Sequence, residues 1–173
     1  MFELLRQKAL SYGAHKVWQV DPNNLVFDER ALLQCYNCEN YGVKKTCPPN
    51  MMDLNYKETA KKYKKALLVA LSFKNTDCAQ DELDNYANKL HKILLKLEKD
   101  AFEIGQVYSV AFTSGSCKLC KKCPKDFCSN PKQSRMPIEA IGVDVTATMK
   151  NLGLKLIFPP TDEIYQIGLL LVG

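Results

Sequence analysis

The sequence Ala66-Leu67-Leu68-Val69-Ala70-Leu71-Ser72-Phe73 decides the predicted fold of this 173-residue chain. Seven of these eight side chains are apolar, and a lysine and an asparagine follow them. A half-buried strand alternates apolar and polar residues, whereas a strand that is covered on both faces is apolar throughout. Strands of the second kind are typical of parallel sheets with helices on both faces. The stretch therefore predicts a buried strand in an α/β protein.

The segments on either side alternate between helical and extended patterns, and residues 28–34 are ambiguous. Helices are predicted at 2–12, 53–65, 81–102 and 137–152, and strands at 16–20, 25–27, 66–73, 107–112, 154–158 and 164–172. Crossovers through the helices would make the flanking strands parallel. We predict one α/β domain over residues 1–173, with a mixed, mostly parallel sheet, flanking helices and two cysteine-rich loops. A ferredoxin-like α+β sandwich is the alternative.

A run of cysteines follows the strand predicted at 107–112. Its members are Cys117, Cys120, Cys123 and Cys128. The spacing C-x2-C-x2-C suits the corners of an iron–sulfur cube, because a tight loop can offer one thiolate to each of three irons. Tetrahedral zinc usually takes two separated C-x2-C pairs, so it fits this spacing less well. We predict a [4Fe–4S] site, with a zinc knuckle or a reduced thiol cluster as the alternative.

The first cysteine group of the chain, Cys35, Cys38 and Cys47, is predicted to lie in a loop that also contains glycine and two prolines. Three cysteines leave a four-iron cluster one ligand short. The fourth position can be filled by Cys78, by a non-cysteine ligand or water, or by Cys128 crossing over as in two-cluster ferredoxins. The alternatives are a zinc site for the three cysteines and an ordinary buried thiol for Cys78.

The predicted strand directions would bring the cysteine groups together. The first group follows the strand at 16–20, Cys78 follows the strand at 66–73, and Cys117 follows the strand at 107–112. If these strands are parallel, all three groups lie beyond carboxyl ends, where open α/β sheets place their sites. If the strands are antiparallel, the argument predicts no convergence.

Other polar residues are interpreted more simply. His91 lies within the helix predicted at 81–102, and we interpret it as an exposed or flanking side chain rather than a ligand. Glu139 near the start of the helix predicted at 137–152 suits the helix dipole. Asp144 is interpreted as a solvent-facing carboxylate on the same helix.

Composition and charge limit the classes of function. The N-terminus lacks the pattern of a signal peptide, and the longest apolar runs are too short to span a bilayer. We expect a cytoplasmic protein whose eight cysteines are metal ligands rather than disulfides. The formal charge of +5 counts thiols as neutral, and each four-thiolate cluster would contribute about −2. The lysines then offset cluster charge, so we expect neither nucleic-acid nor membrane binding.

Three blocks of sequence resemble a known family. They are Cys35-x2-Cys38-x2-Tyr41-Gly42-x4-Cys47-Pro48-Pro49, then Gly115-x-Cys117-x-Leu119-Cys120-x2-Cys123-x4-Cys128, then Arg135-Met136-x2-Glu139-Ala140-Ile141-Gly142-Val143-Asp144-Val145. In their order, and over nearly the whole chain, they resemble the predicted metal-binding proteins called domain of unknown function 2284. The resemblance implies metal binding through these cysteines, in the form of iron–sulfur clusters, and implies no particular reaction. The third block departs slightly from the family pattern at Pro137 and Ile138.

Three functions are compatible with these features. We favour an iron–sulfur protein with one or two clusters that transfers electrons to a redox partner protein or assists a larger redox system. No nucleotide, flavin or metalloprotease motif is present. The second hypothesis is an enzyme whose three-cysteine cluster leaves one iron open as a Lewis acid. The third is a zinc-stabilised binding module. No catalytic residue is assigned, and neither enzymatic activity nor oligomeric state follows from the sequence.

Overall fold

The structure is a computed structural model that describes residues 1–75 and 80–173. Its centre is a sheet of four strands: β1 (Lys16–Val20), β2 (Lys65–Lys74), β3 (Val110–Phe112) and β4 (Glu163–Val172). The strand order is β1-β2-β4-β3, and all neighbours are antiparallel. β2 and β4 pair along their whole length and form the middle of the sheet.

Five α-helices and two short 3-10 helices accompany the sheet in the described part of the chain. They are α1 (Phe2–Ser11), α2 (Glu29–Tyr36), α3 (Tyr56–Ala60), α4 (Gln80–Glu103) and α5 (Val145–Asn151), with 3-10 helices at Pro22–Asn24 and Glu139–Ile141. The ambiguous segment 28–34 is therefore largely helical. Among the described residues, no helix has the length and apolar character needed to cross a membrane.

The prediction of a mostly parallel sheet is wrong. Residues 66–71 of β2 are all buried, as the apolar run indicated. Burial on both faces depends on the layers that cover a strand, however, and not on the direction of its neighbours. The crossover through α4 does make β2 and β3 point the same way, but β4 lies between them. β2, α4 and β3 therefore form a split β-α-β unit with β4 between its two strands. One such unit resembles one half of the ferredoxin-like sandwich that was the alternative prediction.

Several predicted elements are shorter than the sequence pattern indicated. Only Val110–Phe112 of the strand predicted at 107–112 is extended, and residues 154–158 form no strand. The helix predicted at 137–152 is divided, because the Asp144 carboxylate accepts a hydrogen bond from the Ala147 N–H at 2.8 Å and starts α5 there. Asp144 is thus a helix cap rather than a solvent-facing side chain within a helix.

Apolar layers cover both faces of the sheet. On one face Leu67, Val69 and Leu71 pack against α1 and α4. On the other face Leu68 and Ala70 pack against the segment that contains the second 3-10 helix and α5. Burial of each large aliphatic side chain contributes about 1.5–3 kcal/mol. The two layers together explain why the central strand is apolar at consecutive positions.

A short pairing outside the main sheet positions α2. Phe27 forms an isolated antiparallel bridge with Val143, and the Asp28 N–H donates to the Gly142 carbonyl at 2.9 Å. The strand predicted at 25–27 is reduced to this bridge. Because α2 begins directly after it, the pairing places α2 against the second 3-10 helix. This contact carries the first cysteine group to its final position.

Candidate metal centre

The second cysteine loop spans residues 114–136 and is closed at its base. The Thr113 N–H donates to the Met136 carbonyl at 2.9 Å, and the Ile138 N–H donates to the Thr113 carbonyl at 2.8 Å. Thr113 directly follows β3 and is buried. The loop itself contains turns and bends but no helix or strand. These hydrogen bonds therefore hold both ends of the irregular loop at the end of β3.

The four cysteines predicted in this loop surround one small cavity. Cys117, Cys120, Cys123 and Cys128 all line it, and each is partly buried. Residues 44–46 of the first cysteine loop form another part of the wall. The cavity volume is about 20 Å³, which is room for about one water molecule. The four cysteines, which are separated along the sequence, thus line one common cavity.

Hydrogen-bond donors and a positive charge face these sulfur atoms. Asn130 Nδ2 donates to Cys120 Sγ at 3.1 Å, and the Asn130 N–H donates to Cys128 Sγ at 3.4 Å. Burial raises the pKa of the Cys117 thiol, while the Lys44 ammonium acts in the opposite direction. Such donors and charges stabilise thiolates, which are the form that binds metals.

Polar contacts hold the second loop against α4. The contacting pairs are Lys118 with Asp84 (Nζ to Oδ1, 3.1 Å), Arg135 with Glu98 (Nε to Oε2, 2.9 Å) and His91 with Gln133 (Nε2 to carbonyl O, 2.7 Å). His91 is only 2% exposed, so its interpretation as an exposed or flanking residue is wrong. Its imidazole ring instead forms a hydrogen bond with the main chain of the second loop.

The first cysteine loop, residues 37–50, is a series of turns that begins at the end of α2. Cys35 lies in the last turn of α2, and the Cys38 N–H donates to its carbonyl at 3.1 Å. The Cys47 N–H donates to the Lys44 carbonyl at 3.2 Å. Cys38 is exposed, Cys35 is partly buried and Cys47 is buried. The three thiols therefore differ in their access to solvent.

Burial also changes the acidity of these thiols. It raises the pKa of Cys47 to about 11, against a smaller opposing effect of the Thr46 hydroxyl. Burial raises the pKa of Cys35 too, and the negative charges of Cys38 and Glu139 add to this. Both thiols are thus neutral at pH 7, so metal binding by either of them would have to release its proton.

The two cysteine loops are neighbours, although the reason predicted for this is wrong. β1 runs opposite to β2, whereas β2 and β3 point the same way, so the carboxyl ends of the three strands do not share one edge. The first loop reaches the second because the bridge between Phe27 and Val143 carries α2 across. Lys44, Lys45 and Thr46 then line the second-loop cavity. Cys78 lies outside the described residues.

Comparison with known proteins identifies one family. The family described as predicted metal-binding protein (DUF2284) matches residues 19–172. The chain belongs to this family. No curated protein and no solved structure matches it. All three sequence blocks lie within the matched range, and the family description supports metal binding without naming a metal or a reaction.

The second-loop cysteines line a common cavity without converging on one point. Among residues 1–75 and 80–173, no three His, Cys, Asp or Glu side chains lie close enough together to hold one metal ion. The cavity between the second-loop thiols has a volume of about 20 Å³. Binding of a metal by these thiols would therefore require the loop to change its conformation.

Glu139 is one of the polar residues of this region that sequence reasoning missed. Its Oε2 atom is buried, and among the residues that the structure describes it has no hydrogen-bond partner. Burial raises the pKa of its carboxyl group, and the backbone N–H groups of Glu139 itself and of Gly115 oppose this. The helix-dipole interpretation gave it no role at the cysteines. The only signal in the sequence was its place in the third block of the family pattern.

Proposed function

We propose that this protein is a cytoplasmic iron–sulfur protein that transfers electrons or assists a larger redox system. One [4Fe–4S] cluster is bound by Cys117, Cys120, Cys123 and Cys128, and a second is built on the first cysteine loop. The observation that carries the proposal is the common cavity of the four second-loop cysteines. The number and the spacing of these cysteines match those that a four-iron cluster requires, and this match supports the proposal.

The contact between the loops supports a relay of two clusters. Residues 44–46 line the second-loop cavity, and Cys47 of the first loop is the next residue along the chain. Only this short segment would separate the two clusters, so an electron could pass between them within the protein. The charge of Lys44 beside Cys117 would help to offset the negative charge of the second-loop cluster.

The surface around the loops supports a protein as the redox partner. Tyr36, Val43 and Met52 are exposed near the first loop, and Phe127 is exposed on the second. A contiguous apolar patch with a polar rim is typical of a protein contact site, and we propose that these side chains contribute to such a patch. Lysines 121, 122 and 125 around Phe127 are also exposed, which would favour an acidic partner surface.

The proposal is tested by anaerobic purification followed by analysis of iron, acid-labile sulfide and zinc. We expect about eight irons and eight sulfides per chain, which is the content of two four-iron clusters. Electron paramagnetic resonance before and after dithionite should show a signal in the reduced state. About four of each would leave only one cluster. Zinc without sulfide would refute the proposal and favour the zinc-stabilised binding module.

A further inference from the structure

A cavity of about 650 Å³ lies between α2, the start of α5 and β4. Arg30 and Gln34 contribute to its wall from α2, and Tyr165 and Ile167 contribute from one face of β4. The volume lies within the range of about 300–1,000 Å³ that is typical of small-molecule sites. None of the described residues that line the cavity is a cysteine. A ligand of this cavity would therefore add a function beyond the proposed clusters.

Apolar side chains form one part of the cavity wall. Val143 and Ile167 are buried there, and Leu156 is partly buried. Phe158 also lines the cavity, and this residue is 71% exposed. A ligand with an apolar ring or chain would remove these side chains from water, which favours binding.

Acidic residues dominate the polar part of the wall. Asp28, Glu139 and Asp144 line the cavity, and Arg30 is the one basic residue among the described residues that do so. Arg30 is already engaged by Asp28, because its Nε donates to both carboxylate oxygens at 3.0 Å. Asp144 accepts the Ala147 N–H at the start of α5. The charge balance of the wall therefore favours a cation over an anion.

The Glu139 carboxyl group provides an acceptor for such a cation. Nearly all buried polar atoms in proteins have a hydrogen-bond partner, but Glu139 Oε2 has none among the residues that the structure describes. Burial raises the pKa of this carboxyl group, and an adjacent positive charge would favour its ionised form. The terminal torsion of a glutamate is soft, so the carboxyl group can turn towards a donor in the cavity at little cost.

We propose that this cavity binds a small organic ammonium compound, whose ammonium group donates to the Glu139 carboxylate and whose apolar body packs against Leu156 and Phe158. A hydrogen bond between an ammonium and a carboxylate is about twice as strong as one between neutral groups. A neutral ligand would gain only the apolar contact. An anionic ligand would be repelled by the carboxylates of the wall.

The test is isothermal titration of the anaerobically purified full chain, near neutral pH, with three probes that share a phenyl group. Phenethylamine is cationic, phenethyl alcohol is neutral and hydrocinnamate is anionic. We expect phenethylamine to bind one site per chain with a Kd of about 1 mM or lower, and the alcohol to bind at least about tenfold more weakly. Hydrocinnamate should not bind. The absence of saturable phenethylamine binding, or binding of either other probe with equal affinity, would overturn the proposal.

Two pairs of variants locate the binding site. Glu139→Gln should weaken phenethylamine binding at least about tenfold, whereas the control Glu103→Gln, at the exposed end of α4, should not change it. Phe158→Ala should weaken it about two- to tenfold, whereas the control Phe102→Ala changes another exposed phenylalanine and should have no effect. Because both phenylalanines are exposed, this second pair decides the case even if Glu139→Gln is destabilised. Equal affinities within either pair would overturn the proposal.

Iron and sulfide analysis of the same sample tests the proposed clusters separately. Phenethylamine binding by a protein that contains zinc and no sulfide would support the ammonium site and refute the clusters. Two four-iron clusters in a protein without phenethylamine binding would support the clusters and overturn the ammonium site. The failure of one proposal is thus distinguishable from the failure of the other.

Discussion

The two cysteine loops of this protein use the same residue type in different ways. In the second loop, four cysteines from one continuous segment line a single cavity, and Asn130 donates to two of their sulfur atoms. At the first loop, the thiols of Cys38, Cys47 and the preceding Cys35 range from exposed to buried. The second loop thus contains four candidate ligands, whereas the first group offers only three of the four that a four-iron cluster requires. A complete motif can be recognised locally, and an incomplete one cannot.

The loops also differ in how the fold holds them. The second loop is closed at the end of β3 and bound along α4 by the contacts of Asp84, His91 and Glu98. The first loop is held mainly by its own turns and by the long-range pairing that positions α2. Variants that affect one loop at a time should therefore separate the two sites.

The largest expected effect is loss of one whole cluster. Cys120→Ser should remove about four irons and leave the first-loop cluster, whereas Cys35→Ser should remove about four and leave the second-loop cluster. Iron and sulfide analysis after anaerobic purification measures both. The control Ser129→Ala, at an exposed position in the second loop, should keep all the iron. Loss of all iron in Cys120→Ser would show that the loops share a single cluster.

The next effect concerns the scaffold that both loops share. A Cβ atom at Gly168 of β4 would lie 2.5 Å from Leu94 Cδ1 and 2.8 Å from the Phe112 carbonyl oxygen. Gly168→Ala should lower the free energy of unfolding of the metal-free chain by about 1–3 kcal/mol, because the core is overpacked. Urea denaturation measures this. Gln19→Ala at an exposed position of β1 should change it by less than about 0.5 kcal/mol. Equal values would contradict the close contact of α4 with β4.

A pH effect of similar or smaller size should distinguish the buried thiol of the first loop. The pKa of Cys47 is about 11 in the folded chain against a usual value of 9.0. The unfolded chain therefore loses this proton first as pH rises. The contribution of Cys47 to the free energy of unfolding of the metal-free protein should be constant below about pH 9 and decrease towards pH 11, by up to about 2 kcal/mol.

Denaturation at several pH values measures this decrease. Cys47→Ala should reduce it, whereas the control Cys38→Ala removes an exposed thiol, keeps Cys47 and should preserve it. Burial raises the pKa of Cys35 and Cys117 as well, so part of the decrease should remain in Cys47→Ala. An identical pH dependence in both variants would contradict the burial of Cys47.

The smallest effect is expected on reduction potentials. Asn130 Nδ2 lies 3.1 Å from Cys120 Sγ, whereas Asn40 Nδ2 lies 3.6 Å from the exposed Cys38 Sγ. Donors to sulfur stabilise the more negative, reduced cluster. Asn130→Ala should therefore lower the potential of the second cluster by about 40 mV, which corresponds to about 1 kcal/mol for one hydrogen bond. Asn40→Ala should change the first cluster less, as measured by redox titration. A larger shift from Asn40→Ala would reverse this ranking of the two loops.

Much of the local structure could be predicted because it depends on local patterns. The helical spacing of apolar residues at 81–102 corresponds to α4, and the apolar run at 66–73 corresponds to β2. The strand at 16–20 is β1. Strand direction could not be obtained in this way, because an apolar run reports that both faces are covered and not which neighbour pairs with it. Because the sequence pattern does not report strand direction, the prediction of a mostly parallel sheet was wrong.

The candidate site shows the same limit. The second loop was recognised from one contiguous motif, because the spacing of its cysteines is set by the chain itself. The burial of the Glu139 carboxyl oxygen could not be recognised, because it depends on how the second 3-10 helix packs in the folded chain. The buried state of His91 was missed for a similar reason, since helical spacing alone does not show that Gln133 covers it.

The sequence by itself determined membership of a metal-binding family, the positions of the main helix and the central strands, and the two cysteine groups as candidate ligands. Only the tertiary structure decided the antiparallel order β1-β2-β4-β3, the contact between the two loops and the burial of a carboxyl oxygen at Glu139. The physical reason is that periodicity and motif spacing are properties of neighbouring residues. Pairing direction, enclosure and loss of solvent depend on segments that meet only when the whole chain is folded.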